Sequence, residues 1–331
     1  MAANIELIKV LRDRTGAGIM DCKNALVACE NDVEKACDWL REKGIAKQAK
    51  KASRTAAEGL IGIHHCEKCN RTSIVEVNCE TDFVAKNEGF VALTKSILDA
   101  AMAAKAKTLD EVKALTIDGK TIADLIVEEI GKTGEKMELG AYECLEGAGT
   151  TCYDHLGNKL STIVTFNKPV DRQVGRNIAM QVASMNPVAV SEDAVPAEVK
   201  EKELAIAIDK TKAEQVQKAV EAALKKAGFN LYTAENEEHI QEGIMKGYIT
   251  EEQAAQIREI KATVAEQKAA NLPEQMIQNI ANGRMNKFYK ESCLLEQAFI
   301  MDEKATVKSY LASIDADLTA VAFKRVNLNE D

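Results

Sequence analysis

The stretch that most constrains the fold is EVNCETDFVAKNEGF, residues 76–90. Around its start, apolar and polar side chains alternate, which predicts a half-buried β-strand. The apolar side carries Val75, Val77 and Cys79, and the polar side carries Glu76, Asn78 and Glu80. Thr81 and Asp82 follow, and their side-chain oxygens can accept hydrogen bonds from the free N–H groups of a first helical turn. The sequence therefore predicts a strand-to-helix corner at Phe83.

Two interpretations of this corner are open from the residues alone. In the first, Thr81 and Asp82 cap the helix and Phe83 packs into the core behind them. In the second, Asp82 and Phe83 project from a rigid corner into another protein, as an acidic and an aromatic anchor. The two interpretations predict opposite burial for Phe83.

A family resemblance favours the second interpretation. The tetrapeptide TDFV at 81–84, inside VNCETDFVAKNEGF, resembles the signature of the elongation factor Ts family, the guanine-nucleotide exchange factors for elongation factor Tu. The stretch LRDRTGAGIMDCKNAL at 11–26 resembles the N-terminal signature of the same family. The resemblance implies that Thr81, Asp82, Phe83 and Val84 bind elongation factor Tu and dislocate its Mg²⁺.

Composition agrees with a helical protein that binds another protein. The chain has 331 residues, of which 46% are hydrophobic and only 4% aromatic, and this length suits two or three packed units. Its formal net charge of −9 argues against a general nucleic-acid coat protein, which needs cations to neutralise phosphates. A protein partner is therefore expected, with no nucleic acid.

Location and cysteine chemistry are also constrained by the sequence. The start, MAANIELIKVLRDR, lacks an apolar run with a small-residue cleavage site, and no segment approaches the roughly 18 apolar residues of a membrane span. A cytoplasmic protein without membrane contact is expected. The nine cysteines include Cys22, Cys29 and Cys37 at helical spacing, which indicates buried thiols rather than a disulfide framework.

The N-terminal 1–45 segment is predicted to be a three-helix bundle similar to ubiquitin-associated domains. Apolar stripes define the helices, and Gly44 is predicted to stop the third. By the family resemblance this bundle docks on the GTPase domain of elongation factor Tu. Further candidate partner contacts are Arg12, Thr15, Gly16, Met20, Asn78 and His155.

A basic run from Arg41 to Arg54 follows, with six cations against the single acid Glu42. It is interpreted as a solvated linker over 46–58. A phosphate-binding arm is the alternative, but the run itself contains none of the aromatic side chains that such an arm uses for stacking.

Residues 59–138 are predicted to form a first α+β subdomain that begins with a hairpin around HHCEKCN. Two thiolates and an imidazole at this spacing suggest a zinc hypothesis with His64, Cys66 and Cys69 as ligands, but a single CxxC is weak support. No cofactor is expected. The segments Gly119-Lys120-Thr121 and Gly131-Lys132-Thr133 resemble the end of a phosphate loop, yet the required upstream glycine is replaced in both, so no nucleotide binding is expected.

The pattern then repeats, which predicts an α+β fold with two related subdomains and small antiparallel sheets. Residues 139–145 are expected to be a strand, 153–158 a turn, 161–166 a strand and 172–185 a helix; the second subdomain spans 139–196 and 270–331, with Thr319–Val326 as its last strand. His155, in YDHLGN, is either an exposed turn residue or, by the resemblance, a contact with another domain of elongation factor Tu. Leu156 departs from the family's turn.

Residues 197–269 are rich in Ala, Glu, Lys and Gln, which predicts a helical hairpin with a break at 228–230. The hairpin is similar to the protruding coiled coil through which several family members dimerise, so a homodimer is a further expectation. It contains an insertion near 212–266.

The sequence thus predicts an exchange factor that binds elongation factor Tu in its GDP and nucleotide-free forms. Exchange breaks no bond, so no catalytic residue is expected. Two other classes are a helical adaptor and a thiol or zinc enzyme that depends on Cys66 and Cys69.

Overall fold

The structure, a computed structural model, describes residues 3–51, 53–155 and 157–328, without the side chains of 45–50. It divides into two compact units, Met1–Val190 with Ala298–Asp331, and Ser191–Gln297. Within the described part of the chain, no helix is both long and apolar enough to cross a bilayer. The mixture of helices and small antiparallel sheets confirms the predicted α+β class.

The N-terminal bundle consists of α1 (Ile5–Thr15), α2 (Ile19–Ala28) and α3 (Val33–Lys51). Asn4 caps α1 by accepting a hydrogen bond from the N–H of Glu6, and Gly16 ends it in the left-handed conformation. The side chains between the helices form a small core of Leu11, Ala17, Cys22, Ala25, Leu26 and Ala36.

Gly44 does not stop α3, contrary to the prediction. The helix continues to Lys51, so the expected linker is helical at its start. Gly44 is buried, and a Cβ at this position would lie 3.1 Å from both Cγ1 and the carbonyl oxygen of Val127. A glycine here thus allows a close helix contact rather than a helix end.

The first sheet is covered by helices that follow its hairpin. In chain order its region contains β1 (Glu58–Cys66), β2 (Arg71–Cys79), α4 (Asp82–Ala85), α5 (Glu88–Ala104), α6 (Leu109–Ala114), β3 (Thr116–Ile117), β4 (Lys120–Thr121), α7 (Ile122–Thr133) and β5 (Met137–Glu146). The strand order is β1-β2-β5, with antiparallel pairs throughout. The bundle contacts this region through the ion pair between Arg41 and Asp124 of α7, 2.6 Å apart.

The remaining elements include the second sheet. In chain order they are β6 (Gly149–His155), β7 (Leu160–Phe166), α8 (Arg172–Met185), a 3₁₀ turn (Glu192–Ala194), α9 (Ala197–Lys226), α10 (Leu231–Ala234), α11 (Glu237–Met245), α12 (Glu251–Ala270), α13 (Glu274–Ser292), β8 (Ala298–Phe299), β9 (Asp302–Thr306), α14 (Val307–Ile314) and β10 (Ala320–Asn327). The second sheet has the order β10-β7-β6. The predicted last strand is therefore confirmed.

The strand expected at 139–145 belongs to the first sheet, so the prediction that it opens the second sheet is wrong. In β5, Tyr142 pairs with Val75 of β2. The missing strand is β6, and the expected turn at 153–158 lies at 157–159 instead. The internal repeat is therefore a hairpin, then helices, then a distant third strand, which pairs with the second strand of its hairpin.

The two sheets share a core, and this explains a second difference from the sequence pattern. Ile61, Ile74, Ile163, Val326 and Leu328 form one buried cluster between the sheets. As a result β2 is buried on both faces along most of its length, where a half-buried strand was predicted. The corner thus directly follows a buried central strand.

The unit Ser191–Gln297 is helical in its described elements. α9 packs against α12 and α13, around a core that contains Val220, Leu224, Ile240 and Ile257. The predicted break is confirmed, because α9 ends at Lys226 and Asn230 caps α10. The sequence predicts that the second subdomain resumes at residue 270. In the structure α13 packs with α9 in the helical unit, and the other unit resumes only at Ala298.

Candidate functional site

The predicted strand-to-helix corner is present. β2 ends at Cys79, and Thr81 is extended with φ −128° and ψ 151°. Its Oγ1 accepts a hydrogen bond from the N–H of Val84 at 3.4 Å, which confirms the cap of α4. Phe83 is 83% exposed, so the interpretation of this residue as core is wrong.

The short helix α4 separates a buried side from a projecting side. Val84 and Ala85 pack against the core of the first sheet, while Asp82 and Phe83 face outward. The Asp82 carboxylate accepts a hydrogen bond from Nζ of Lys86 at 2.6 Å, and this bond lowers the pKa of Asp82. An aromatic ring and a carboxylate that is paired with Lys86 thus lie on the surface at adjacent positions of the chain.

A carboxylate from elsewhere in the chain holds the base of the corner. Glu135 Oε2 accepts hydrogen bonds from the backbone N–H groups of Glu80 at 3.1 Å and Thr81 at 3.0 Å. Its Oε1 accepts a further bond from the hydroxyl of Thr81 at 2.6 Å. Hydrogen bonds to a charged acceptor are stronger than neutral ones, so Glu135 fixes the backbone where α4 begins.

A second carboxylate, that of Glu80, binds the segment around Glu135 in return. Glu80 Oε1 accepts a hydrogen bond from the N–H of Lys136 at 2.6 Å and lies 3.2 Å from Nη1 of Arg54. The backbone bond from Lys136 is the main cause that lowers the pKa of Glu80. Arg54 in turn accepts a bond from Nζ of Lys136 through its carbonyl oxygen at 3.1 Å. We call Arg54, Glu80, Thr81, Glu135 and Lys136 the corner clamp.

Sequence reasoning missed the clamp. Glu135 follows Gly134, which ends α7 in the left-handed conformation, and nothing in this local pattern points to Thr81, which lies 54 residues earlier. The sequence predicts Arg54 to lie in a solvated linker. Both roles depend on the register of β5 beside β2, which the local sequence does not encode.

Comparison with known proteins places this corner in context. The family model described as elongation factor TS matches residues 80–330, beginning at the corner. The chain is 53% identical over 336 residues to elongation factor Ts of Bacteroides thetaiotaomicron and 41% identical over 332 residues to that of Porphyromonas gingivalis, with all of both chains covered in each case. The chain belongs to the elongation factor Ts family. It is thus related to translation elongation factors, and membership supports an exchange role on elongation factor Tu.

The N-terminal bundle of this elongation factor Ts family member exposes part of its predicted contact set. Arg12 is exposed, and Met20 is 63% exposed beside the exposed Ile19. Thr15 donates its hydroxyl hydrogen to the carbonyl oxygen of Leu11 at 2.7 Å and is half-buried. Gly16 provides the turn between α1 and α2. Arg12, Gly16 and Met20 are therefore exposed, whereas Thr15 is half-buried.

Asn78 does not lie on the surface, contrary to the expectation of a partner contact. It is 7% exposed, and its amide donates a hydrogen bond to Glu76 Oε1 at 2.6 Å. The space above Gly140 is filled by this side chain, because a Cβ there would lie 2.0 Å from Asn78 Oδ1. Asn78 thus packs the two strands β2 and β5 together.

His155 lies exposed at the end of β6, which is compatible with both interpretations of this residue. Its Nδ1 is hydrogen-bonded to the hydroxyl of Tyr153 at 2.8 Å. The guanidinium of Arg176 lies over the Tyr153 ring, 5.1 Å from its centroid. Leu156, which departs from the family's turn, lies outside the described residues.

In the hairpin between β1 and β2, both histidines contact neighbouring side chains. His64 Nδ1 lies 3.1 Å from the carboxylate of Asp99, and His65 Nδ1 lies 2.8 Å from the hydroxyl of Thr72. Among the described residues, no cluster of three or more His, Cys, Asp or Glu side chains is arranged to hold a metal ion. The Cys69 thiol donates a hydrogen bond to the carbonyl oxygen of Cys66 at 3.8 Å, and the interaction between the two neighbouring thiols lowers the pKa of Cys66 and raises that of Cys69.

Proposed function

We propose that this chain binds elongation factor Tu with GDP, accelerates GDP release by disturbing the Mg²⁺ site of that protein, and stays bound until GTP displaces it. The observation that carries the proposal is the clamped corner with Phe83 exposed at its tip. A phenylalanine in water contributes nothing to the hydrophobic core, yet it can add strongly to an interface when a pocket covers it.

The corner acts by binding energy, without covalent chemistry. In the proposal Phe83 inserts between helices of the partner's GTPase domain, and the charged Asp82 disturbs the surroundings of Mg²⁺. Mg²⁺ demands a near-ideal octahedral arrangement of oxygens and is bound partly through substrate phosphates, so a small displacement of its surroundings weakens nucleotide binding. Thr81 and Val84 hold the corner in shape.

The coupling is reciprocal by thermodynamic necessity. Any factor by which this chain lowers the affinity of the partner for nucleotide equals the factor by which bound nucleotide lowers the partner's affinity for this chain. A rigid corner favours a large factor, because a flexible one would move aside rather than displace the Mg²⁺ surroundings. GTP in excess therefore expels the exchange factor.

Other parts of the chain supply affinity in this proposal. Arg12 and Met20 of the bundle contact the GTPase domain, and His155 contacts another domain of elongation factor Tu. We further propose that the α9–α12 pair supports a homodimer and that the chain works in the cytoplasm. The chain itself binds neither nucleotide nor nucleic acid in this scheme.

The test is stopped-flow release of a fluorescent GDP from elongation factor Tu at fixed Mg²⁺. The wild-type chain should accelerate release strongly, and the double variant Asp82→Ala/Phe83→Ala should lose that acceleration. A matched control is Met301→Ala/Asp302→Ala, which removes a neighbouring exposed apolar and acidic pair, with Met301 53% exposed. The control should behave like the wild type.

The same assay separates the other classes. A chain that binds elongation factor Tu without accelerating release would be an adaptor, and this result would refute the proposal. Loss of acceleration in Cys66→Ser/Cys69→Ser, with binding and folding intact, would point to thiol chemistry instead.

A further inference from the structure

The arginines of the chain fall into two groups by their partners. All ten lie in the described part of the chain, and six of them form ion pairs with carboxylates. The paired arginines are Arg14, Arg41, Arg54, Arg71, Arg258 and Arg284. Arg325 donates to the carbonyl oxygen of Ala183. Among the arginines, all of which are described, only Arg12, Arg172 and Arg176 have side chains that form neither an ion pair nor a hydrogen bond, and Arg12 is already a candidate partner contact.

Arg172 and Arg176 lie one turn apart at the start of α8 and line the same cleft. The cleft has a volume of about 870 Å³. Its other walls are the β1–β2 turn, residues 65–70, and the strand β6 from Thr150 to Cys152. Asp171 already caps α8 by accepting from the N–H groups of Gln173 and Val174, so the cleft's charge comes from side chains rather than from the helix end.

The lining is positive although the chain as a whole is acidic. Lys68, Arg172 and Arg176 stand against Glu67 and Asp154, while the chain carries a net charge of −9. Asp154 accepts a hydrogen bond from the Ser161 hydroxyl at 3.1 Å.

His65 adds no further charge at neutral pH, because burial lowers its pKa below the ordinary value of 6.5. The positive charge of the cleft therefore resides on the two guanidinium groups and on Lys68, for which no ion pair is found among the described residues, and it exceeds the negative charge of the two lining carboxylates.

We propose that Arg172 and Arg176 bind carboxylates of an acidic segment of the protein partner, in a contact that continues from His155. This inference rests on the proposed exchange function. The guanidinium of Arg176 lies over Tyr153, whose hydroxyl bonds His155, so the cleft and the hairpin tip form one continuous surface. Guanidinium groups match carboxylates in a bidentate geometry, which favours Asp and Glu side chains as the ligands.

The experiment measures binding of the full-length chain to elongation factor Tu as a function of ionic strength, together with the maximal rate of GDP release. Arg172→Ala/Arg176→Ala should weaken binding by about 10-fold at low salt, with a smaller loss at high salt, because surface charge pairs are screened. The maximal release rate at saturation should be unchanged. Arg172→Lys/Arg176→Lys keeps both charges but loses the bidentate guanidinium geometry, so it should recover only part of the low-salt affinity.

A matched control removes two exposed cations outside the cleft, Lys304→Ala/Lys308→Ala. It should bind like the wild type at every salt concentration. Unchanged binding of the arginine variant, an equal loss in the lysine control, or a loss that does not depend on salt would each overturn the proposal. If the wild-type chain accelerates release in the same assay, such a result refutes the cleft alone; if it does not, the proposed function itself fails.

A probe identifies the ligand chemistry. A short glutamate-rich peptide should compete with elongation factor Tu for the wild-type chain, and the arginine double variant should be insensitive to it. Competition by inorganic phosphate or RNA at equal ionic strength, without competition by the peptide, would overturn the assignment to a protein carboxylate.

Discussion

Two exposed features lie next to the central strands of the two sheets: the corner after β2 and the hairpin tip between β6 and β7. They differ in the contacts that hold them in place. At the corner, Glu135 accepts two backbone N–H groups and a hydroxyl from residues more than 50 positions away. At the hairpin tip, the contacts of His155 are with Tyr153 two residues away and, through that ring, with Arg176. The corner is held by a carboxylate from elsewhere in the chain, whereas His155 is held within its own hairpin, by pairing with Leu160 in the ladder and by the Tyr153 hydroxyl.

This difference suggests different roles for the two features. A wedge that displaces part of a partner must resist the force that the partner exerts on it, and for this it needs a firm attachment to other parts of the chain. A contact that adds affinity can adapt to the partner surface and needs no such restraint. We therefore expect changes at the corner to alter the maximal rate of nucleotide release, and changes at the hairpin tip to alter affinity.

The largest expected effect is at Phe83. Phe83→Ala should reduce the maximal stimulated release by about 30-fold or more, because a buried aromatic anchor at an interface contributes about 2 kcal/mol or more. The free energy of unfolding should change by less than about 0.5 kcal/mol, since the side chain is 83% exposed. Stopped-flow release and urea unfolding measure the two quantities.

Phe90 provides the control for that variant. It lies seven residues later and is 0% exposed, so Phe90→Ala should destabilise the fold by about 3–5 kcal/mol. A Phe83→Ala chain that unfolds as readily as the Phe90 variant, or that exchanges nucleotide normally, would contradict the assignment of Phe83 as a projecting wedge.

The next effect tests the clamp. Glu135→Ala leaves the N–H groups of Glu80 and Thr81 without their acceptor, so the maximal release rate should fall several-fold and stability should fall by about 1–3 kcal/mol. Glu135→Gln keeps a carbonyl oxygen as acceptor and should restore part of the rate. The comparison of maximal rate with half-saturating concentration separates positioning from binding.

Glu138→Ala is the matched control for Glu135. It removes a carboxylate from β5 that pairs with Lys136 at 3.4 Å but does not contact the corner backbone. Its exchange kinetics should match the wild type. A Glu135→Ala chain that loses affinity while keeping the full maximal rate would show that the clamp is not needed for the wedge.

The corner could be predicted from the sequence and its clamp could not, for a physical reason. Alternation along β2 and the cap at Thr81 are local signals, and they are sufficient to predict the corner. The family resemblance adds the prediction that Phe83 is exposed rather than buried. The role of Glu135 depends on which strand lies beside β2. The sequence pattern places 139–145 in the second sheet, and therefore it gives no indication that Glu135 and Lys136, just before this strand, lie beside the corner.

Gly44 and Asn78 show the same limit from two other directions. Gly44 is a helix stop by its local pattern, but a close contact with Val127 gives the glycine a different use inside a continuous helix. Asn78 lies on the polar side of an alternating strand, yet the packing over Gly140 buries it. Local periodicity predicts which elements form, while their neighbours decide what each side chain does.

A smaller effect is expected at the hairpin tip. His155→Ala should weaken binding to elongation factor Tu a few-fold, with the maximal release rate unchanged, because an exposed contact near an interface rim contributes about 1 kcal/mol or less. Tyr153→Phe removes the hydroxyl that holds His155 and should have a weaker effect in the same direction. A fall in the maximal release rate for His155→Ala would contradict the claim that the hairpin tip contributes only affinity.

The smallest effect concerns pH. The pKa of Glu80 is lowered chiefly by the N–H of Lys136, so the clamp contributes stability above the ordinary carboxyl value of 4.5 and loses it as pH falls through the lowered value. The corner should therefore keep its geometry between neutral pH and about pH 4.5 and loosen only below it. The backbone amide of Lys136, followed by NMR, should titrate with a midpoint below 4.5, and Glu80→Gln should abolish that titration. A midpoint at or above the ordinary value would mean that the Lys136 bond does not hold the carboxylate, and the corner would then be no more firmly fixed than the hairpin tip.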